Sequence, residues 1–332
     1  MGLATPTAIM VGLGKAAQAG ILVKGGSTLE NLARIKTVIF DKTGTLTTGD
    51  FRVSIKTAPG QAADYVYSVL AALEKHSRHP IAKSILAALP DRWSLLLTHV
   101  EERAGVGING FDSQGNQFAL ESAKVENPTS AEIADFDLCL SQNGRIIAYI
   151  KLEDELKPEA KETVERLQKA SFKTVLLSGD LPQKCSTVAE ALGIDVVHGG
   201  KSPAEKLALI KELEREAASA FVGDGINDAP SLAQASVGIS LSEASQIAMH
   251  AAQVVVLGGN LRHIIKALAL ARLTLKTIKQ NLFWAFFYNT LAIPAAAAGY
   301  LNPMLAALAM TFSDVMVIGN SLRMKRCSIN TL

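Results

Sequence analysis

Thr37-Val38-Ile39-Phe40-Asp41-Lys42-Thr43-Gly44-Thr45-Leu46-Thr47 is the stretch from which the fold follows. Its first four residues are apolar or β-branched, the composition of a buried strand. Such a strand delivers Asp41 to its carboxyl end, where open α/β sheets bind their ligands. The residues that follow are small or hydroxylated. Backbone N–H groups and the Thr43 and Thr45 hydroxyls can therefore crowd around a phosphate, while Lys42 adds a positive point charge. A carboxylate placed there is a candidate nucleophile for an aspartyl-phosphate intermediate. An isolated Asp at a strand end, by contrast, is more often a turn or capping residue.

Asp41 is not isolated. Ala220-Phe221-Val222 runs into Gly223-Asp224-Gly225-Ile226-Asn227-Asp228, a second apolar strand that ends in carboxylates beside glycines. Carboxylates converging on one sheet edge repel each other unless a cation neutralises them, and oxygen ligands of this kind suit Mg²⁺. Asp41 and Asp224 are the expected metal pair.

Together, Asp-Lys-Thr-Gly-Thr-Leu-Thr and Gly-Asp-Gly-Ile-Asn-Asp resemble the phosphorylation domain of P-type ATPases, within the haloacid-dehalogenase-like fold. The resemblance covers essentially the whole chain and is strongest to the heavy-metal (type IB) pumps, copper transporters above all. It implies a doubly wound α/β phosphorylation domain, an inserted α+β nucleotide-binding domain and a C-terminal transmembrane helical hairpin. Implied cofactors are ATP and Mg²⁺. The implied cargo is a heavy-metal cation, Cu(I) foremost, with membrane lipid and a metallochaperone as partners. The protein would be integral to a membrane, with its catalytic domains in the cytosol.

The same resemblance distributes roles among residues. Mg²⁺ would be held by Asp41, the Thr43 carbonyl and Asp224, with Asp228 beside them. Lys206, Ser178 and Asn227 would orient the phosphoryl oxygens, and Gly179 and Asp180 would complete the Ser178-Gly179-Asp180 loop, where the family usually has Thr in place of Ser178. Lys206 follows Ser202-Pro203, whose proline suits the first turn of a helix.

Composition is consistent with this. The 332 residues leave room for two or three domains, each with its own core. With 48% hydrophobic residues, only 5% aromatic and a positive mean hydropathy, a soluble body plus a membrane-embedded segment is expected. A formal charge of +2 gives no argument for nucleic acid as a partner. Cys139, Cys185 and Cys327 are scattered and odd in number, which reads as reduced thiols.

Residues 1–34 read as the remnant of a membrane helix followed by a stalk, with a short amphipathic helix at Leu29 to Ile35. In the family, a stretch like Gly2-Leu3-Ala4-Thr5-Pro6-Thr7 follows a Cys-Pro-Cys motif, which would lie before Met1. The actuator's Thr-Gly-Glu does not occur in the sequence. Residues 35–48 open the phosphorylation domain, and 49–152 interrupt it with short strands and helices, the expected nucleotide-binding domain. Here Ser77-Arg78-His79-Pro80, with Glu74 five residues before His79, resembles the adenine-binding element of the metal pumps, Arg78 standing where Glu is usual. Gly105-Val106-Gly107 resembles the family's nucleotide loop. Its glycines permit close backbone approach, and Ile108 can cover one face of a base.

The chain is expected to return to the catalytic domain through Ile146 to Ile150. The second part of that domain, 153–258, alternates helix and strand as a doubly wound sheet requires: a helix at Glu159 to Ala170, strands at Lys173 to Leu177, Ala235 to Ile239 and Val254 to Leu257. Residues 259–281 read as a stalk helix and 282–325 as two spanning helices. Basic residues flank their outer ends, Lys276 and Lys279 before, Arg323, Lys325 and Arg326 after, which puts both ends in the cytosol. Polar and sulfur residues inside, Tyr288, Asn289, Met310 and Ser313, resemble the intramembrane ion site of copper pumps, and a thioether suits Cu(I). Asp314 departs from that pattern and is more expected of zinc pumps.

Two other classes share parts of this pattern. A phosphatase of the same fold usually carries a general-acid Asp two residues after the nucleophile, where this chain has Thr43. A non-transporting ATP-binding remnant or partner subunit would keep the catalytic motifs without the transport path.

Overall fold

Apolar strands that must be covered on both faces assemble into one parallel sheet, and alternating strands into a separate antiparallel one. The computed structural model describes residues 2–77, 80–90, 95–103, 107–123, 136–224, 228–241, 250–297 and 303–328. Two units are formed, one of Met1–Leu46 with Lys157–Leu332, the other of Thr47–Leu156.

The first unit starts with α1 (Ala4–Gln18), β1 (Ile21–Val23), α2 (Gly26–Arg34) and β2 (Thr37–Phe40). The second contains β3 (Thr47–Thr57), α3 (Ala63–Glu74), α4 (Pro80–Ala88), β4 (Thr98–Arg103), β5 (Gly107–Phe111), β6 (Gln117–Ser122), β7 (Leu138–Gln142) and β8 (Arg145–Leu156). The first then resumes with α5 (Ala160–Lys169), β9 (Lys173–Leu177), α6 (Pro182–Leu192), β10 (Val196–His198), α7 (Pro203–Glu216), β11 (Ser219–Gly223), α8 (Ala229–Gln234), β12 (Val237–Ser240) and β13 (Val254–Val256). It closes with α9 (Arg262–Ala297) and α10 (Pro303–Arg323).

The sheet of the first unit has the order β1-β13-β12-β11-β2-β9-β10, parallel throughout except for β1. Every residue of β2, β11 and β12 is buried. On one face Ile39, Val175 and Phe221 pack against Ile210 and Leu213 of α7 and Leu232 of α8. Edge strand β1 is a departure from the sequence expectation, which read this segment as stalk. It pairs antiparallel with β13, Leu22 opposite Val255.

A carboxylate fastens the amino ends of two central strands. Glu214 Oε1 accepts from the Ser219 N–H at 3.0 Å, the Ser219 hydroxyl at 2.5 Å and the Ser236 N–H at 2.8 Å, while the Ser236 hydroxyl donates to Oε2. Removing an acceptor shared by buried donors costs about 1–3 kcal/mol or more. Glu214→Ala is therefore expected to destabilise this unit by roughly 2–3 kcal/mol, measured as lost amide protection in β11 and β12; unchanged protection would refute the role.

The second unit is a six-stranded antiparallel sheet, β3-β8-β7-β6-β5-β4. Ile146 to Ile150, expected to lead back to the phosphorylation domain, instead lies in β8, which pairs with β3 and β7 of this unit and not with the parallel sheet. Phe118, Leu140, Ile147 and Ile150 form its core with Val69, Leu70 and Leu73 of α3.

Three helices meet at the far end of the first unit. Asn281 of α9 donates to the Ala4 carbonyl of α1 at 3.0 Å and to the Ser321 hydroxyl of α10 at 2.9 Å. Lys15 of α1 donates to the carbonyls of Met324 (2.8 Å), Lys325 (3.1 Å) and Cys327, which follow α10. No helix among the described residues is long and apolar enough to cross a membrane. The expected spanning pair at 282–325 is thus not established by the fold. What these helices do present is outward-facing apolar surface, with Phe283, Phe286, Met304, Leu308, Met310 and Phe312 all exposed.

Candidate functional site

The sheet order reverses at β2. Strands β9 and β10 follow it on one side, β11, β12 and β13 lie on the other, and the crevice at such a switch point is where doubly wound sheets bind ligands. Asp41 follows β2 directly, and its N–H donates to the Val222 carbonyl of β11 at 2.9 Å. Asp224 follows β11. Ser178, on the other side, follows β9 and is 3% exposed.

Lys206 reaches the same crevice through the start of α7. Ser202 caps that helix in a reciprocal box: its hydroxyl accepts from the Glu205 N–H, and the Glu205 carboxylate accepts from the Ser202 N–H at 2.9 Å. With Pro203 fixing the first turn, Lys206 Nζ lies 2.7 Å from Asp41 Oδ1 and 2.9 Å from Asp228 Oδ1. Burial, then the Asp228 charge, pushes the Asp41 carboxyl up to about 7; the Lys206 ammonium works against this and Asp224 with it. Burial alone would lower the Lys206 ammonium, but Asp41 and Asp228 together outweigh it and hold it above its usual range.

The turn after Asp41 carries two further features. Lys42, expected to face a phosphate, instead pairs with Asp180 at 2.5 Å, and the Thr43 hydroxyl donates to the same carboxylate oxygen at 3.2 Å. Gly44 takes φ +71, and a Cβ there would stand 3.3 Å from Asp224 Oδ2, so the position needs glycine on both counts. Beside Ser178, Gly179 is exposed and the Asp180 N–H donates to the Ser178 hydroxyl at 3.2 Å. Asn227 lies outside the described residues.

Among the described residues, no group of three or more His, Cys, Asp or Glu side chains is closed into a metal cage. The residues present nonetheless fit Mg²⁺ and a phosphate. Asp41 is a carboxylate too buried and too close to other carboxylates to ionise easily, the condition a divalent cation relieves. The Thr45 hydroxyl is fully buried with no partner among the described residues, and a phosphoryl oxygen would satisfy it.

In the second unit, Glu74 ends α3 and is 4% exposed. Burial first, and then the charge of Glu102, raises its carboxyl to about 7. Glu102 accepts from the Ser77 hydroxyl at 3.0 Å, which ties the end of α3 to β4. Glu102 was not assigned a role from sequence, although its place just before the glycine loop was a clue. Gly107 begins β5 with φ +151, and a Cβ there would stand 2.2 Å from the Leu120 carbonyl oxygen. Ile108, expected to cover a base, is 5% exposed and packs in the core of this unit, so its side chain is committed to the sheet. His79 and Gly105 lie outside the described residues.

For the expected ion site, Met310 is 70% exposed on α10 and Ser313 is half-buried. Tyr288 and Asn289 fall within α9, but their side chains lie outside the described residues.

The family model of haloacid dehalogenase-like hydrolases matches residues 35–236. The chain is 38% identical over 347 residues to a probable copper-exporting P-type ATPase V of Mycobacterium tuberculosis (strain ATCC 25618 / H37Rv), across 98% of this chain and 44% of that protein. It is also 38% identical over 346 residues to a probable copper-importing P-type ATPase A of Enterococcus hirae, across 99% of this chain and 47% of that protein. Among solved structures, a zinc-transporting PIB-type ATPase in the E2·Pi state is similar with a TM-score of 0.79 at 32% identity, covering 98% of this chain and 55% of that one. The chain spans about half the length of the curated relatives it matches. With Asp41, Lys206 and Asp228 joined at the switch point of its sheet, the chain belongs to the haloacid dehalogenase-like hydrolases and is similar over nearly its whole length to metal-transporting P-type ATPases.

Proposed function

We propose that the chain is the catalytic portion of an ATP-driven pump for a heavy-metal cation, Cu(I) foremost, and that it works through an aspartyl phosphate on Asp41. The observation that carries this is Lys206 held between Asp41 and Asp228 at the switch point. An ammonium there keeps the Asp41 carboxylate available as a nucleophile and remains in place to offset charge on the transferring phosphoryl group.

In the reaction, an Asp41 oxygen bonds to the γ-phosphorus as the bond to the β,γ-bridging oxygen breaks, and ADP departs with that electron pair. The Ser178 hydroxyl and Asn227 amide orient the phosphoryl oxygens, and the Thr45 hydroxyl can donate to one. Mg²⁺, held by Asp41, the Thr43 carbonyl and Asp224 with Asp228 beside them, would supply neutralising charge. Water then attacks the acyl phosphate, and inorganic phosphate leaves Asp41 free. Thr43 in the usual general-acid position, its hydroxyl donating to Asp180, disfavours a phosphatase.

Glu74 would read the adenine edge, and its elevated pKa lets it donate as a neutral acid near pH 7. His79, Gly105 and Gly107 would hold the rest of the nucleoside. The exposed apolar faces of α9 and α10 favour a membrane location for these helices, with both sheets in the cytosol. For the cargo, the Met310 thioether favours Cu(I) and Asp314 favours Zn²⁺; relatives named as an exporter and as an importer leave direction to experiment.

Incubation with γ-labelled ATP and Mg²⁺ is expected to label the chain with an acid-stable, hydroxylamine-labile phosphate. Label that resists hydroxylamine would put the phosphate on a hydroxyl and refute the aspartyl route.

A further inference from the structure

One face of α9 changes character along its length. Arg272, Lys276, Lys279 and Phe283 follow one another at spacings of three and four, which align them in a single stripe about 16 Å long at ~1.5 Å rise per residue. Within one turn the stripe passes from cationic to aromatic. Phe283 and Trp284 are 62% and 39% exposed, and their rings meet edge to face at 5.6 Å. With Ala33 of α2 the stripe lines a groove of about 540 Å³.

The charge in this groove is of one sign. Helix α9 contains no Asp or Glu. Lys276 and Lys279 are exposed and form no ion pair among the described residues. The Arg272 guanidinium lies 4.3 Å over the Phe172 ring, a fixed charge at the back of the groove. On this stripe, cations run directly into exposed aromatic rings. The same sequence is what an interface between water and lipid selects, where basic side chains meet headgroups and aromatic rings enter the layer beneath.

We propose that the groove between α2 and α9 seats the headgroup of an anionic phospholipid, its phosphate on Lys276 and Lys279 and its upper acyl chain against Phe283 and Trp284. This rests on the membrane location proposed above for α9. A second copy of the chain is disfavoured, because a face-to-face contact would bring two cationic stripes together. A nucleic acid would leave the aromatic end of the groove without a partner.

The sequence has two tryptophans, so Trp93→Phe leaves Trp284 as the reporter. The variant is reconstituted into phosphatidylcholine vesicles that contain either brominated phosphatidylglycerol or brominated phosphatidylcholine. Quenching by the brominated phosphatidylglycerol is expected to dominate, with a preference of about fivefold per lysine at low salt that shrinks as salt is added. Lys276→Gln with Lys279→Gln should bring the two lipids level while quenching persists. Equal quenching in the parent would overturn the headgroup site and leave the membrane location standing. Absence of quenching by either lipid would overturn both. Cross-linking of two copies through Lys279 would assign the groove to a dimer instead.

Discussion

Asp41→Asn is expected to leave no detectable phosphoprotein, a rate loss on the order of 10⁴-fold or more, the scale on which enzymes suffer when their nucleophile is removed. Asn matches Asp in shape and keeps the strand-end turn, but it has no carboxylate to attack phosphorus. ATP binding should persist, because the candidate nucleoside residues lie in the other unit. The same substitution also changes stability in a direction that can be worked out. In the ligand-free protein the Asp41 carboxyl, normally near 3.8, is raised to about 7 by burial and by Asp228. The folded state therefore holds a proton that the unfolded state has released. The associated stability is complete below about pH 4 and is lost as pH rises through about 7, at up to ~1.4 kcal/mol per pH unit. Asn carries no charge to desolvate and should flatten this decline. Glu74, also raised to about 7, accounts for a remaining slope that Glu74→Gln should remove. Thermal unfolding in metal-free buffer between pH 5 and 8 tests this; wild-type stability that rises over that range would refute it.

For Lys206→Ala we expect phosphorylation to slow by roughly 10²–10³-fold, the usual effect of removing one group that stabilises transition-state charge. The ammonium is 2.7 Å from one carboxylate and 2.9 Å from another. Without it, Asp41 and Asp228 confront each other with no cation between them. Asp41 would then hold its proton to higher pH, and fewer molecules at neutral pH would carry the attacking carboxylate. The pH–rate profile should accordingly move to higher pH as well as fall. That shift separates a role in the reaction from a structural one, since a merely loosened fold would lower the rate without moving the profile. An unchanged rate and profile would remove Lys206 from the mechanism.

Much of the catalytic sheet was legible because its signals are local. Thr37 to Phe40 and Lys173 to Leu177 are runs of strand length whose last three residues are apolar, and each ends in a turn-forming sequence. Ser202-Pro203 announces a helix start in two residues. Other features depend on pairing that no local pattern reveals. β1 is three residues long between glycine-containing turns, and only its partner β13 makes it a strand. β8 looked like a return to the catalytic sheet because its residues are apolar, yet register with β3 assigns it to the inserted unit. The same holds in the site. Asp41 and Asp224 stand at strand ends that the sequence marks, whereas the capture of Lys42 by Asp180 joins residues far apart in the chain. Glu74 was visible as a residue of the adenine element, but its elevated pKa depends on its burial and then on Glu102 across the fold.

Edge strand β1 has a mechanical consequence. It continues from α1, its partner β13 leads into α9, and the two strands form one antiparallel ladder from Ile21–Val256 to Val23–Val254. Lys15 then fastens α1 to the carbonyls beyond α10. For α1 and α9 to slide past one another, that ladder would have to break. The ladder and the Lys15 contacts thus moor α1, α9 and the chain beyond α10 to one edge of the parallel sheet.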